Sequence, residues 1–245
     1  MIEAKNIVYR VRKGRDCFCM NDVNLKLEEG YITGLLGYNG AGKTTLMNLL
    51  YGALTPESGE VWYKGNRVTK KNRDTYHDEV VYCDANWCIP HMTISRNLEF
   101  FSPLYPDFDR KQFDDVLVRL RADGLIDKAY ENLSTGEQKK TELAFGMARS
   151  PKFWFLDEPF ANLDPVIKTE VQDLMILAAR QRGTGILLST HLVDEIADLV
   201  DYIVVIENGN IKDFGDREQL FKKYRTENLR ELIRSDSPEK ESELR

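Results

Sequence analysis

The chain has 245 residues, 42% of them hydrophobic and 30% charged, which excludes a chain disordered throughout and supplies a full-sized core. Its 34 Lys and Arg against 40 Asp and Glu leave a formal charge of −6, and this disfavours a dedicated nucleic-acid binder, which usually carries a basic excess or stripe. No apolar run approaches the roughly 18 residues needed to cross a bilayer, and the opening MIEAKNIVYRVRKGRD has no apolar signal region, so the expected location is the cytosol.

Val23, Leu25 and Leu27 alternate with polar residues, the period of a half-buried strand. Glu29-Gly30 turns the chain, and Tyr31 to Leu36 is a short apolar run that feeds straight into glycines. Gly37-Tyr38-Asn39-Gly40-Ala41-Gly42-Lys43-Thr44 then matches G-x-x-x-x-G-K-[ST]. It follows a predicted strand and opens a predicted helix, the context this motif requires. Such a loop turns backbone N–H groups inward around a phosphate chain, and the helix N-terminus adds about half a positive charge. A glycine-rich turn that binds nothing is the bland alternative, and the flanking strand and helix weigh against it. The candidate nucleotide-binding residues are Gly37, Asn39, Gly40, Ala41, Gly42, Lys43, Thr44 and Thr45. Lys43 is placed to reach the β- and γ-phosphates, and the Thr44 hydroxyl to ligate Mg²⁺.

Leu46, Leu49 and Leu50 give the helix over 43–51 its apolar positions, and Gly52 is placed to end it. Pro56-Glu-Ser-Gly59 is a turn, and Glu60 to Lys64 alternates around Val61 and Tyr63. Cys17, Cys19, Cys83 and Cys88 have C-x-C and C-x4-C spacings that fit no standard zinc site, and they read as small buried hydrophobes. From about Thr93 to Arg149 the pattern is mostly helical, and Phe113, Val116, Val118, Leu120 and Leu125 suit an amphipathic stretch. Within it, Leu133-Ser134-Thr135-Gly136-Glu137-Gln138 is a capping box, with Ser134 as N-cap and Glu137 three residues later. Ser134, the glycine backbone and the helix dipole also make a second anion site, far in sequence from the first loop.

Strands return with Phe153 to Leu156, a continuous apolar run expected of a strand buried on both faces of a parallel sheet. It ends in two carboxylates. Asp157 can hold Mg²⁺ through water, and Glu158, whose side chain points elsewhere, suits a general base for an attacking water. Asp164-Pro165 pairs an N-cap residue with proline at the first helical position; Ile167, Val171, Leu174 and Ala178 line one face, and Gly183 closes the helix. Ile186 to Leu188 is the next strand, leading to His191, and Tyr202 to Ile206 another. Strands alternating with helices indicate a mainly parallel sheet, with the helical middle inserted between two halves of the core. Neighbouring parallel strands then deliver Asp157, Glu158 and His191 to one sheet edge, where ligands of open α/β sheets bind; there His191 would bond the γ-phosphate and hold the water. The tail over 216–245 holds eight acids and eight bases. Leu220, Phe221, Tyr224, Leu229 and Ile233 suit a helix, and the final SDSPEKESELR is expected to fray.

This order of motifs resembles the ATP-binding subunits of ABC transporters, over about residues 2–216. The P-loop Gly37–Thr44 is followed by a signature sequence, LSTGEQ at 133–138, then the Walker B strand with Glu158. A D-loop, Ala161-Asn162-Leu163-Asp164-Pro165, and a switch histidine, His191, complete the set. The style is closest to bacterial drug and peptide exporter ATPases with a separate membrane subunit, on the YPDFD at 105–109 and the short ANLDP loop. The resemblance implies an α/β P-loop NTPase core, with a mainly parallel sheet and flanking helices, an N-terminal antiparallel β subdomain and an inserted α-helical subdomain. One ATPase domain would span 1–216, with its core at 1–85 and 151–216 and the helical subdomain at about 86–150. A charged, partly helical tail, 217–245, would follow.

The same resemblance implies an ATP hydrolase that uses ATP and Mg²⁺ and pairs head to tail with a second ATPase subunit, identical or homologous. Each ATP would lie on one chain's P-loop and under Ser134, Thr135, Gly136 and Glu137 of the other. Asp164 would lie across the dimer from the partner's P-loop. The helical subdomain would contact a polytopic membrane subunit, holding the chain at the inner face of the cell membrane. Thr135 stands where the family often has glycine, and Glu137 where it often has glutamine. The Q-loop glutamine falls on Asp84, which donates no hydrogen bond when ionised; Asn86 takes the position if the loop is shifted. Tyr9 and Phe18 are the candidates to stack on adenine, and the simple alignment lands near Val11. A soluble ABC-type ATPase in assembly, repair or translation would share these motifs, but the single cassette, the lack of long insertions and the negative charge disfavour it. A nucleotide-gated clamp without turnover is supported only by Asp84 and opposed by Glu158 and His191.

Overall fold

The computed structural model describes residues 1–13, 16–83, 87–191 and 193–234. Strands β1 (Ile2–Lys13) and β2 (Asp16–Leu27) open the chain as an antiparallel pair. β1 gave no strand signal because its alternation breaks: the pairing register shifts twice between Ala4 and Tyr9, where Asn6 takes φ 52°. β3 (Ile32–Leu36) follows, with every residue buried, and leads into α1 (Lys43–Tyr51). β4 (Ser58–Tyr63) and β5 (Asn66–Arg67) return to the first pair and complete a four-stranded antiparallel sheet in the order β2-β1-β4-β5.

A short helix, α2 (Arg73–Glu79), precedes β6 (Val80–Cys83). The next segment carries α3 (Ile94–Phe101), α4 (Arg110–Arg119) and α5 (Thr135–Ala148). On α4, Phe113, Val116 and Leu117 are buried and so is Leu120 at its end, whereas Val118 is 62% exposed. Val118 therefore leaves the expected apolar stripe, because the 3.6-residue period carries it off the face set by 113, 116, 117 and 120.

β7 (Phe153–Asp157), α6 (Pro165–Arg182), β8 (Gly185–Thr190), β9 (Tyr202–Glu207) and β10 (Asn210–Asp216) complete a six-stranded sheet in the order β10-β9-β3-β8-β7-β6. All its pairings are parallel except β9 with β10. The α/β core with a separate antiparallel sheet agrees with the fold class expected from the motifs. The tail forms two helices rather than one, α7 (Arg217–Tyr224) and α8 (Leu229–Arg234), separated by Arg225 at φ 52°. Residues 235–245 lie outside the described residues. Among the described residues no helix is long and apolar enough to cross a membrane.

The large sheet buries both faces, and the strand period assigns them. Phe153 and Phe155 pack with Leu46, Leu49 and Leu50 of α1 in a layer between the two sheets. Trp154 and Leu156 point the other way, into a cluster with α5, α6 and the helical segment. In that segment Phe113 has no exposed surface and meets Trp87 and Phe108 at ring separations of 6.4 and 6.2 Å. Phe113→Ala is expected to cost about 3–5 kcal/mol by urea unfolding, and Val118→Ala no more than about 0.5.

Candidate functional site

The glycine-rich loop leaves the buried strand β3 and is boxed in by its neighbours. A Cβ on Gly37 would lie 2.4 Å from the Ile206 carbonyl oxygen. Gly42 has φ 110°, and a Cβ there would lie 2.7 Å from Phe18 and from Met20. The loop can approach these groups only because both residues lack a side chain. α1 begins at Lys43, whose Nζ donates to the carbonyls of Gly37 (2.8 Å) and Tyr38 (3.3 Å). Burial lowers the Lys43 pKa, and the Glu158 and Asp157 carboxylates act against that shift.

Asp157 ends β7 on the same face as Phe153 and Phe155, the face toward α1, so the period of two aims it at Thr44. Thr44 Oγ1 donates to Asp157 Oδ2 at 2.7 Å, and the Tyr82 hydroxyl donates to the same oxygen at 3.3 Å. Ser189 Oγ donates to Oδ1 in a short bond. The Ser189 contact follows from sheet register, since β7 and β8 pair in parallel with Asp157 opposite Ser189. Neither Tyr82 nor Ser189 carried a sequence signal, because both depend on which strands become neighbours. Thr44 and Asp157 offer adjacent hard oxygen donors, which fit Mg²⁺. Among the described residues no group of three or more His, Cys, Asp or Glu is placed to hold a metal ion.

Glu158 follows in the left-handed region, at φ 48°. Its N–H donates to the Ser189 carbonyl at 3.1 Å, which holds this costly backbone in place. Glu158 Oε1 accepts from the His191 N–H at 3.1 Å and lies 2.9 Å from His191 Nδ1. The two residues just past the ends of β7 and β8 are thus joined directly.

A cleft of about 710 Å³ opens beside Asp157 and Glu158, whereas His191 and Gly37 line a separate cavity with Tyr38 and Asn39. The lining of the cleft includes Asn39, Gly40, Gly42, Lys43, Thr44 and Thr45, together with Asp157 and Glu158. Phe18 also lines it, whereas Tyr9 pairs with Met20 across the β1–β2 ladder and packs on the inter-sheet core. Val11 is paired with Phe18 on the neighbouring strand. Of the two aromatic candidates, Phe18 is the one at the cleft. Lys139 and Glu142 of α5 line the cleft too, and the sequence pattern did not single them out.

The LSTGEQ stretch lies outside that lining. Ser134 caps α5: its backbone N–H and hydroxyl donate to Glu137 Oε2 at 2.9 and 2.8 Å, and the Glu137 N–H donates back to Ser134 Oγ at 3.3 Å. These bonds to Ser134 hold the Glu137 carboxyl below the usual range. Ser134 and Thr135 are exposed, and Gly136 sits so close to the ANLDP loop that a Cβ would be 2.5 Å from the Asn162 carbonyl oxygen. Asp164 caps α6, accepting from the N–H groups of Val166 and Ile167, both at 3.1 Å. Asp84 and Asn86, the Q-loop positions, lie outside the described residues.

Residues 20–161 match the family described as ABC transporter. The chain is 30% identical over 229 residues to the lipopolysaccharide export system ATP-binding protein LptB of Haemophilus influenzae, covering 90% of this chain and 92% of that one. It is also 30% identical over 200 residues to the thiamine import ATP-binding protein ThiQ of Photobacterium profundum, covering 80% and 83%. A dimeric ATP-binding cassette, solved in a post-hydrolysis state with ADP and Pi, superposes with a TM-score of 0.79 at 20% identity, over 89% of this chain and 99% of that one; this likeness concerns the fold.

The close approach at Gly136 is open to a stability test. Gly136→Ala is expected to cost about 1–3 kcal/mol by overpacking against the Asn162 carbonyl, read as a lowered Tm. Gly124→Ala, with nothing within 4 Å of its Cβ, is the control and should leave Tm within about 1 °C.

Proposed function

The chain belongs to the ABC transporter family as an ATP-binding, ATP-hydrolysing subunit, and we propose that it works as a dimer around two ATP to power a membrane exporter. The observation that carries the chemistry is the joined pair Glu158 and His191 beside the Thr44–Asp157 contact. Lys43, now folded onto its own loop carbonyls, exchanges them for β- and γ-phosphate oxygens. The N–H groups of 37–45 cradle the phosphate chain at the α1 N-terminus, and Phe18 provides the surface for the adenine ring. Thr44 and Asp157 would hold Mg²⁺, which when bound neutralises charge on the phosphates. Tyr82 and Ser189 keep Asp157 in position. Glu158 accepts the proton of the attacking water, and His191 orients that water and bonds the γ-phosphate. Asp84 remains the proposed Q-loop position.

The dimer reading rests on the separation of the two anion sites. Ser134, Thr135, Gly136 and Glu137 open a 14-residue helix, yet they do not line the chain's own cleft. Exposed at the helix N-terminus and turned from that cleft, they can address the nucleotide of a second ATPase subunit, the Ser134 hydroxyl exchanging its Glu137 carboxylate for a phosphate oxygen, with Asp164 of the adjoining loop facing that subunit's P-loop. The dimeric state of the superposed cassette supports this arrangement. Contact with a polytopic membrane subunit is supported by Phe100, Leu104 and Val118, which are 60–62% exposed on the helical segment. That contact would place the protein at the inner face of the membrane. One ATPase domain over 1–216, with the helical subdomain at about 86–150 and a tail from 217, is the division we propose.

Relatives are named for import as well as for export, so the export reading rests on the YPDFD and ANLDP stretches. Glu158→Gln is expected to bind ATP as the parent does and to hydrolyse it about 10²–10⁴-fold more slowly. Hydrolysis at the parental rate would remove Glu158 as the base. A tagged chain extracted from its native cells in mild detergent should bring down a polytopic membrane protein at comparable yield; soluble partners or ribosomes instead would sink the transporter reading.

A further inference from the structure

Lys139 and Glu142 sit one turn apart on α5 and have no part in the chemistry above. Both line the same cleft as Lys43, Thr44 and Asp157. Lys139 Nζ lies 2.9 Å from Glu142 Oε2, with side chains 20% and 9% exposed. The other Glu142 oxygen accepts from the Tyr130 hydroxyl at 2.6 Å. Tyr130 lies in the turn that leads into Leu133 and Ser134, and its carbonyl accepts from Gln138 Nε2 at 3.2 Å. Burial opposes the charge on Lys139, but Cys83, Glu142 and Asp157 outweigh it and keep the group an ammonium.

A buried Lys–Glu pair whose only task is packing gains little, since the cost of desolvating two charges roughly offsets their attraction. This pair stands where that cost has a use. Lys139 faces the cleft that also presents Lys43, and its ammonium is a compact charge on a flexible stem, able to bond Glu142 and a phosphate oxygen in turn. From Ser134 to Lys139 is five residues, about 140° around the helix, so one helix turns its tip away from the cleft and its next turn into it.

We propose that Lys139 is a second cationic ligand for the terminal phosphate of the nucleotide held in its own chain, exchanging Glu142 for the γ-phosphate. Glu142, still bonded to Tyr130, is the resting partner that keeps the ammonium extended toward the cleft. This assignment rests on the reading of the cleft as the ATP site.

The test is equilibrium binding by the full chain, with Mg²⁺, of a fluorescent non-hydrolysable ATP analogue and of the corresponding diphosphate. Lys139→Met is expected to weaken the triphosphate about tenfold and the diphosphate less than about twofold, the size of one charge-assisted hydrogen bond. Lys139→Arg should retain most of the affinity. The double variant Lys139→Met/Glu142→Gln removes both charges, keeps an acceptor for the Tyr130 hydroxyl, and should show the same selective loss with an intact Tm. No loss in either variant, or equal loss for both nucleotides, would overturn the assignment and leave the pair a packing element. Failure of the unaltered chain to bind either nucleotide would instead overturn the ATP reading of the cleft, and this assignment with it.

Discussion

The grip on the Asp157 carboxylate is the interaction on which the site depends. Three hydroxyls from three elements converge on it: Thr44 from the first helix, Tyr82 from the edge strand and Ser189 from the neighbouring strand. The Thr44 bond, at 2.7 Å, has the usual length for a hydroxyl donor, and the Tyr82 contact is longer, at 3.3 Å. Together the three hydroxyls tie α1 to three strands of the parallel sheet, β6, β7 and β8. A shift of any of these strands by one residue would turn its side chain to the other face and empty the grip.

Glu158 depends on the same register. Its left-handed backbone is held by the Ser189 carbonyl, and its side chain reaches His191 just past the end of the same strand, β8. Strain of this kind persists only where the surroundings over-determine it, and here the sheet does so. The same contacts that set Asp157 against Thr44 therefore set the proposed base beside its histidine. Asp157, the proposed magnesium ligand, and Glu158, the proposed base, are both positioned by the parallel pairing of β7 with β8.

The helix α5 has two ends of different use. Its capped N-terminus turns away from the chain's own cleft, and its next turn presents Lys139 into it. Tyr130 and Glu142 join these ends by hydrogen bonds, so a change at the cleft has a packed route to the loop ahead of Ser134. Gly136, in the first turn of α5, sits close against Asn162 in the loop leading into α6.

Local chemistry decided much of this in advance. The phosphate loop, the capping box at Ser134, the Asp164-Pro165 helix start and the apolar run at 153–156 each follow from spacing and residue type over a few positions, and each is found where the spacing placed it. The period of two even predicts which way Asp157 and Glu158 face. What local pattern did not decide is everything that depends on neighbours distant in sequence. A register shift breaks the alternation of β1, and a stripe of apolar residues does not say that Val118, unlike Phe113 and Val116, is left exposed. Tyr82 and Ser189 reach Asp157 because β6 and β8 flank β7, and Phe18 and Lys139 line the cleft from β2 and α5. The physical reason is that backbone propensity and capping act over about four residues, whereas strand order, register and the approach of side chains across a cleft are chosen by burial of the whole core.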